Sequence, residues 1–341
     1  MANCGAPDPR PSTVEVPLPV GFLVGHSTGP RADTGCTVVI CPAGTRGGVD
    51  VRGGGTGTRE LESLSPLANA EGPTAVLMTG GSAFGLAAAD GVMRWLEPRG
   101  LGRATPIGVV PLVSTAVVFD GSAGVPGWRP GPDQGYAACE ASRPGVPERG
   151  RVGAGAGAAV GKLLGREHAT LGGVGYAAVK LAGGVTVAAI ALANAFGDVL
   201  AEDGTVLGGP HGERGEPLRS AQLVLQMPEL PGWAARPGQS TTLACVCTDA
   251  TLDKRGCGIV ARIASAGISR AVDPAFTPND GDLAFCLASG TGPPPVPGAC
   301  YVMDADRAEQ RRCDGHRHRD QRRDPPVHGK QPEHVIARLR S

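Results

Sequence analysis

Short apolar runs broken by glycine-rich turns set what this chain can fold into. CTVVICP (36–42), TAVLMTGG (74–81) and TTLACVCT (241–248) read as strands. VTVAAIALANAFGDVL (185–200) reads as a buried strand or strand pair with the polar Asn194 inside it. Runs this short, bounded by Gly and Pro, suit strands better than helices. Glycine accounts for 54 of the 341 residues, so tight turns and close approaches of backbone to backbone or ligand are expected. Apolar residues make up 41% and fall in ordered runs, which implies a packed core over most of the chain.

The remaining segments have different signatures. SAFGLAAADGVMRWLEPRG (82–100) predicts a helix with Ser82 as its N-cap and Pro98 and Gly100 as its stop. IGVVPLV (107–113) predicts a further strand, and residues 121–150, rich in Gly, Pro and charge, a long surface loop. Residues 208–240 resemble a surface linker, Gly- and Pro-rich and polar. After the strand at Thr241, residues 249–272 predict an amphipathic helix, and TPNDGDLAFCLAS (277–289) a turn leading into a strand. Beyond residue 303 the apolar period is lost, and the composition is that of a disordered or frame-altered tail.

Charge is balanced, 32 basic against 32 acidic residues, which points to neither nucleic acid nor a membrane surface as partner. No basic stretch followed by an apolar one opens the chain, and no apolar run reaches membrane-spanning length, so a cytoplasmic protein is expected. Most of the ten cysteines lie inside apolar runs, as small reduced core residues do. Cys313, His316 and His318 have metal-like spacing but sit in the polar tail and are read as incidental. No metal or cofactor is expected.

GRVGAGAGAAVGK (150–162) invites a phosphate-loop reading, but Leu163 stands where a magnesium-binding hydroxyl is needed. Tight backbone packing, or a role for Lys162 near a reacting centre, are the other readings. A buried Asn194 needs partners for both ends of its amide. Asp280 and Asp282 flank a glycine turn in NDGD, a pattern common in solvated hairpins. Thr241 changes the weight of these residues together. A threonine that opens a rigid strand after a slack segment has the layout of an N-terminal nucleophile made by self-cleavage. Its hydroxyl attacks an acyl carbon, and its freed α-amine, with a pKa of about 8, serves as general base.

Several motifs in one order carry a resemblance: GGVDVRGGGTGTRE (47–60), LMTGGSAFGLAAADGVMRWLE (77–97), VGAGAGAAVGK (152–162), ANAFGDV (193–199), STTLACVCTDA (240–250) and TPNDGDLAFCLASG (277–290). From Gly21 to Gly290 the chain resembles the P1 family of self-processing peptidases, the L-aminopeptidase/D-esterase, β-peptidyl aminopeptidase and nylon-oligomer hydrolase group. The resemblance implies an α+β fold, a four-layer α-β-β-α sandwich of the N-terminal-nucleophile type. It implies cleavage between Ser240 and Thr241 into a larger chain, 1–240, with its core at 20–207 and linker at 208–240, and a smaller one. The smaller chain carries the nucleophile in 241–302 and the tail in 303–341. Thr241, Asn194, Lys162, Asp280 and Asp282 fall on catalytic positions. Asn194 is expected to donate to the oxyanion, and Gly80, Gly81 and Ser82 to line the substrate pocket with backbone donors. Phe119 stands where some relatives place a tyrosine, and Ser240 where branches of the family have Asn or Gly. The implied substrates are small peptides or amide oligomers, and the implied assembly is a tetramer of cleaved pairs. An acyltransferase of the ornithine acetyltransferase type and a non-catalytic truncated homologue are the alternatives.

Overall fold

A computed structural model describes residues 15–120, 128–181, 183–229, 232 and 240–293. Two five-stranded sheets dominate it. Numbering only their strands, the first sheet contains β1 (Leu23–Thr28), β2 (Gly35–Ile40), β4 (Thr58–Arg59), β5 (Ala75–Thr79) and β6 (Val113–Val117). Its spatial order is β1-β2-β5-β6-β4, with β5 and β6 parallel. The second contains β3 (Arg46–Val51), β7 (Gly173–Lys180), β8 (Thr186–Asn194), β9 (Thr241–Thr248) and β10 (Leu283–Ala288). Its order is β7-β8-β9-β10-β3, and only the central pair β9 and β10 is parallel.

Period-two alternation explains the layering, since neighbouring residues in a strand face opposite sides. Val39, Val76 and Met78 of the first sheet meet Ile190, Leu192, Leu243, Cys245 and Phe285 of the second in one buried core. Their neighbours Val38, Ile40 and Leu77 pack outward on helices α1 (Ala88–Leu96) and α2 (Pro132–Glu140). On the far side, after the short helix α3 (Ser220–Gln226), Val246 and Cys286 pack on Cys257, Val260 and Ala261 of α4 (Lys254–Ala271). The layers are therefore α-β-β-α, as the resemblance implies. Helices α1 and α2 touch backbone to backbone: a Cβ on Gly91 would lie 1.6 Å from Pro132 O, and one on Gly135 1.9 Å from Ala88 O.

Several local expectations change. Ser82 is not an N-cap. It has a left-handed φ of 54° and opens a 3-10 turn, Ser82–Ala87, and the α-helix starts only at Ala88. The 107–113 segment is not one strand. Gly108–Val110 forms a small hairpin with Arg103–Thr105, and β6 begins at Val113. The 121–150 segment is not all loop, because Gly131 and the Gln134 side chain, whose Oε1 accepts the Gly131 N–H, start α2. The helix predicted over 249–272 begins at Lys254, where Asp253 caps it by accepting the Gly256 N–H at 2.6 Å. Residues 208–229 include α3, which the linker reading did not foresee. The polar tail and its Cys313, His316 and His318 lie outside the described residues. Among the described residues, no helix is long and apolar enough to cross a membrane.

Candidate active site

Strand pairing brings the site together. Thr241 opens β9 and Asn194 closes β8, and the two are direct partners in the antiparallel ladder. Partners of this kind share a face. Leu243 and Leu192, two residues further into each strand, point into the inter-sheet core, so alternation turns Thr241 and Asn194 to the same side. Both are buried. The parallel pairing of β9 with β10 then places the residues preceding both strands at one end of the sheet. There Ser240 bridges Asp280. This register, with α4 as the crossover, is how residues forty positions apart in sequence meet.

The carbonyl of Ser240, in the peptide bond to Thr241, accepts two hydrogen bonds. Gly281 N–H donates at 2.8 Å, and Thr241 Oγ1 donates at 2.6 Å. Asp280 Oδ2 accepts Thr277 N–H at 3.0 Å, which holds the turn. Asp282 accepts Thr242 N–H at 2.5 Å and Phe276 N–H at 3.0 Å, which ties the turn to β9. Lys162 follows Gly161, whose left-handed φ of 68° turns the chain into a 3-10 turn. The buried Lys162 ammonium donates to Asn194 O at 2.8 Å.

Burial shifts the charged groups of this cluster toward neutral forms. Lys162 is lowered to about 7, chiefly by burial and then by the nearby Arg166 charge, against the pull of Asp280, Asp282 and Asp120. Asp282 is raised to about 7 by burial and by the Asp280 charge, and Asp280 is raised by burial. Lys162 and Asp282 therefore change protonation near neutral pH, and the site holds ionisable groups poised for proton transfer.

The other expected residues have mixed placements. Asn194 is satisfied at both ends: Oδ1 accepts Ala159 N–H at 3.1 Å, and Nδ2 donates to Phe119 O at 3.1 Å. Phe119 thus meets the cluster through its carbonyl. Gly80, Gly81 and Ser82 do not offer free backbone donors, which corrects that expectation. Their N–H groups donate to Gly35 O at 2.9 Å, Asp120 Oδ1 at 3.1 Å and Val118 O at 3.0 Å. The turn is locked from within, because strand ends and a buried carboxylate take up its donors. Sequence reasoning missed Asp120, a buried acid at the end of an apolar run, and the amide of Gly281, a backbone donor with no side chain to announce it. Among the described residues, no group of three or more His, Cys, Asp or Glu is placed to hold a metal ion.

Comparison with known proteins bears on the family and the fold. An uncharacterized aminopeptidase of Mycobacterium tuberculosis (strain ATCC 25618 / H37Rv) is 41% identical over 286 residues, covering 79% of this chain and 80% of its own. A 6-aminohexanoate-oligomer endohydrolase of Paenarthrobacter ureafaciens is 30% identical over 275 residues, covering 79% of this chain and 73% of its own. Among solved structures, a Burkholderia sp. beta-aminopeptidase shares the fold with a TM-score of 0.57 at 21% identity, over 94% of this chain and 80% of that one. The L-aminopeptidase D-Ala-esterase/amidase of Ochrobactrum anthropi, described as a variant of the Ntn hydrolase fold, matches with a TM-score of 0.56 at 19% identity, over 82% of this chain and 76% of that one. Residues 20–316 match the model of peptidase family S58, so this chain belongs to that family and is a peptidase or amidohydrolase.

Proposed function

We propose that the protein cuts itself between Ser240 and Thr241 and then hydrolyses small amides with the Thr241 hydroxyl as nucleophile. The observation that carries this reading is the Ser240 carbonyl, held by the Gly281 N–H and touched by the Thr241 hydroxyl. In the first reaction Thr241 Oγ bonds to the Ser240 carbonyl carbon and loses its proton to a group of the Lys162–Asp280–Asp282 cluster. The Gly281 N–H stabilises the negative charge that develops on the oxygen. The C–N bond then breaks, and the Thr241 nitrogen takes up a proton and leaves as an amine, with Ser240 now in an ester. Water hydrolyses that ester, which frees the Ser240 carboxylate, the Thr241 hydroxyl and the Thr241 α-amine.

Turnover repeats this chemistry on a substrate. Thr241 Oγ attacks the acyl carbon, and the α-amine takes its proton and passes it to the departing amine. Water then releases the acid. Lys162, Asp280 and Asp282 set the charge around the new amine, and Asn194 donates to the substrate oxyanion once the cut has loosened its neighbours. The substrates in this reading are N-terminal residues of small peptides, D- or β-amino acid amides and esters, or amide oligomers. The cleaved pair assembles as a tetramer. The mycobacterial aminopeptidase and the oligomer endohydrolase support an amide as the bond attacked.

Intact-mass analysis of the purified protein tests the first step. Two fragments divided between Ser240 and Thr241 are expected, and none from Thr241→Ala, which also loses hydrolysis by three orders of magnitude or more. An uncut wild-type chain that hydrolyses amides would sink the assignment.

A further inference from the structure

Phe84 is a large apolar side chain left 61% exposed, in the turn that joins β5 to α1. The Arg129 guanidinium stacks on its ring, 3.7 Å from the centroid. Arginine is charged at any accessible pH, and a partly buried cation without an anion carries a desolvation cost. Among the described residues Arg129 forms no ion pair, and its Nε is buried with no hydrogen-bond partner. Residues 121–127, which lead into it, include no acid. The aromatic face fixes the plane of the guanidinium and leaves its N–H edge for another group.

This pair is linked to the candidate active site through the 80–82 turn. A Cβ on Gly81 would sit 3.5 Å from Arg129 Cβ and 3.0 Å from Pro130 Cδ, so the Arg129 segment runs along the 80–82 turn. That turn is bonded to Asp120 and Val118. Phe119, between them, accepts from Asn194, the ladder partner of Thr241. The path from nucleophile to guanidinium is therefore a run of bonded and packed groups: Arg129 and Pro130 lie on Gly81, Gly81 bonds Asp120, and Phe119 bonds Asn194.

We propose that Arg129, stacked on Phe84, recognises the terminal carboxylate of a short peptide or ω-amino-acid oligomer whose amide is attacked at Thr241. The guanidinium fork matches a carboxylate with two parallel hydrogen bonds, and the Phe84 ring supports the chain that leads to it. This inference rests on the Thr241 reading above and adds the class of substrate end that the site selects.

The test compares short amide substrates that end in a free carboxylate with the same molecules ending in a carboxamide. Wild type is expected to favour the carboxylate about tenfold or more in kcat/KM, mainly through KM, because a charged hydrogen bond is lost with the carboxamide. The preference should weaken as salt rises. Arg129→Gln should bring the ratio close to one, and Arg129→Lys should restore part of it. Equal use of both substrates by wild type at low salt overturns the proposal. So does a preference that survives in an Arg129→Gln protein that still cuts itself. A wild-type protein that neither cuts itself nor hydrolyses either substrate overturns the Thr241 reading, and this inference with it.

Discussion

Lys162 and Asp282 change charge in the same narrow interval, and the direction of each change sets a pH dependence. Asp282, raised to about 7, is neutral below that value and becomes an acceptor above it. Lys162, lowered to about 7, loses its charge over the same range and becomes a base. Self-cleavage of freshly made protein should therefore accelerate from about pH 6 to about pH 8, followed as loss of the intact mass, and Lys162→Met should slow it at least about a hundredfold. Stability moves separately. Asp282 has a folded value above its unfolded one, so its contribution is present at low pH and is lost as pH rises through about 7. Lys162 has a folded value below its unfolded one, so its penalty is present below about 7 and is relieved as pH rises toward its ordinary range. Gly281 makes a second residue-scale prediction: a Cβ there would lie 2.6 Å from Thr241 Oγ1. Gly281→Ala should give a folded chain, by circular dichroism, that is cut far more slowly than wild type. Thr241, Asn194 and Lys162 were legible because each is a polar residue set in or beside an apolar run. Gly281 and Asp120 were not, because an amide donor has no side-chain signature and a single acid at a strand end looks like a solvated one.

Among the elements, α3 shows how a stretch that reads as linker can be fixed in place. Asp198 is fully buried, and its carboxylate accepts both Ser220 N–H at 2.7 Å and Ser220 Oγ at 2.5 Å. Burial raises Asp198 to about 6. Asp198→Ala should remove amide-exchange protection from residues 220–226 and cost about 1–3 kcal/mol in denaturant unfolding, because two buried donors lose their acceptor. Unchanged exchange would mean that α3 is held by packing instead. The sequence pattern identified β2, β5, β8, β9 and β10, because apolar runs between glycine turns have few other uses, but it did not single out β1, β3, β4 or β7, which are short or glycine-rich. It misplaced the start of α1, since the left-handed Ser82 is set by the packing of the 80–82 turn and not by capping preference. It missed α2, whose helical state depends on backbone contact with α1 through Gly91 and Gly135, residues of poor helix propensity.

For the whole molecule, ownership of the second sheet decides what cleavage does. β9 and β10 lie on the C-terminal side of the proposed cut, and β8 and β3, which flank them, lie on the other side. The Lys254 ammonium adds a clasp, donating to the carbonyls of Ser63, Ala68 and Ala70 at 2.9, 3.1 and 2.6 Å. The two chains should therefore elute together in gel filtration after cleavage and separate only in denaturant; separation in plain buffer would contradict the central placement. That the parallel pair exists was not readable from sequence, because pairing direction depends on where the crossover helix lands and not on residue type. The same placement has a consequence in time. The Gly281 amide reaches the Ser240 carbonyl only after β10 has come to rest beside β9. Until then the peptide bond lacks its donor, and the proposed cut would not proceed. Under the proposed self-cleavage, activation becomes an inspection step: a molecule that assembles its sheet correctly would arm itself, and one that misfolds would be left inert.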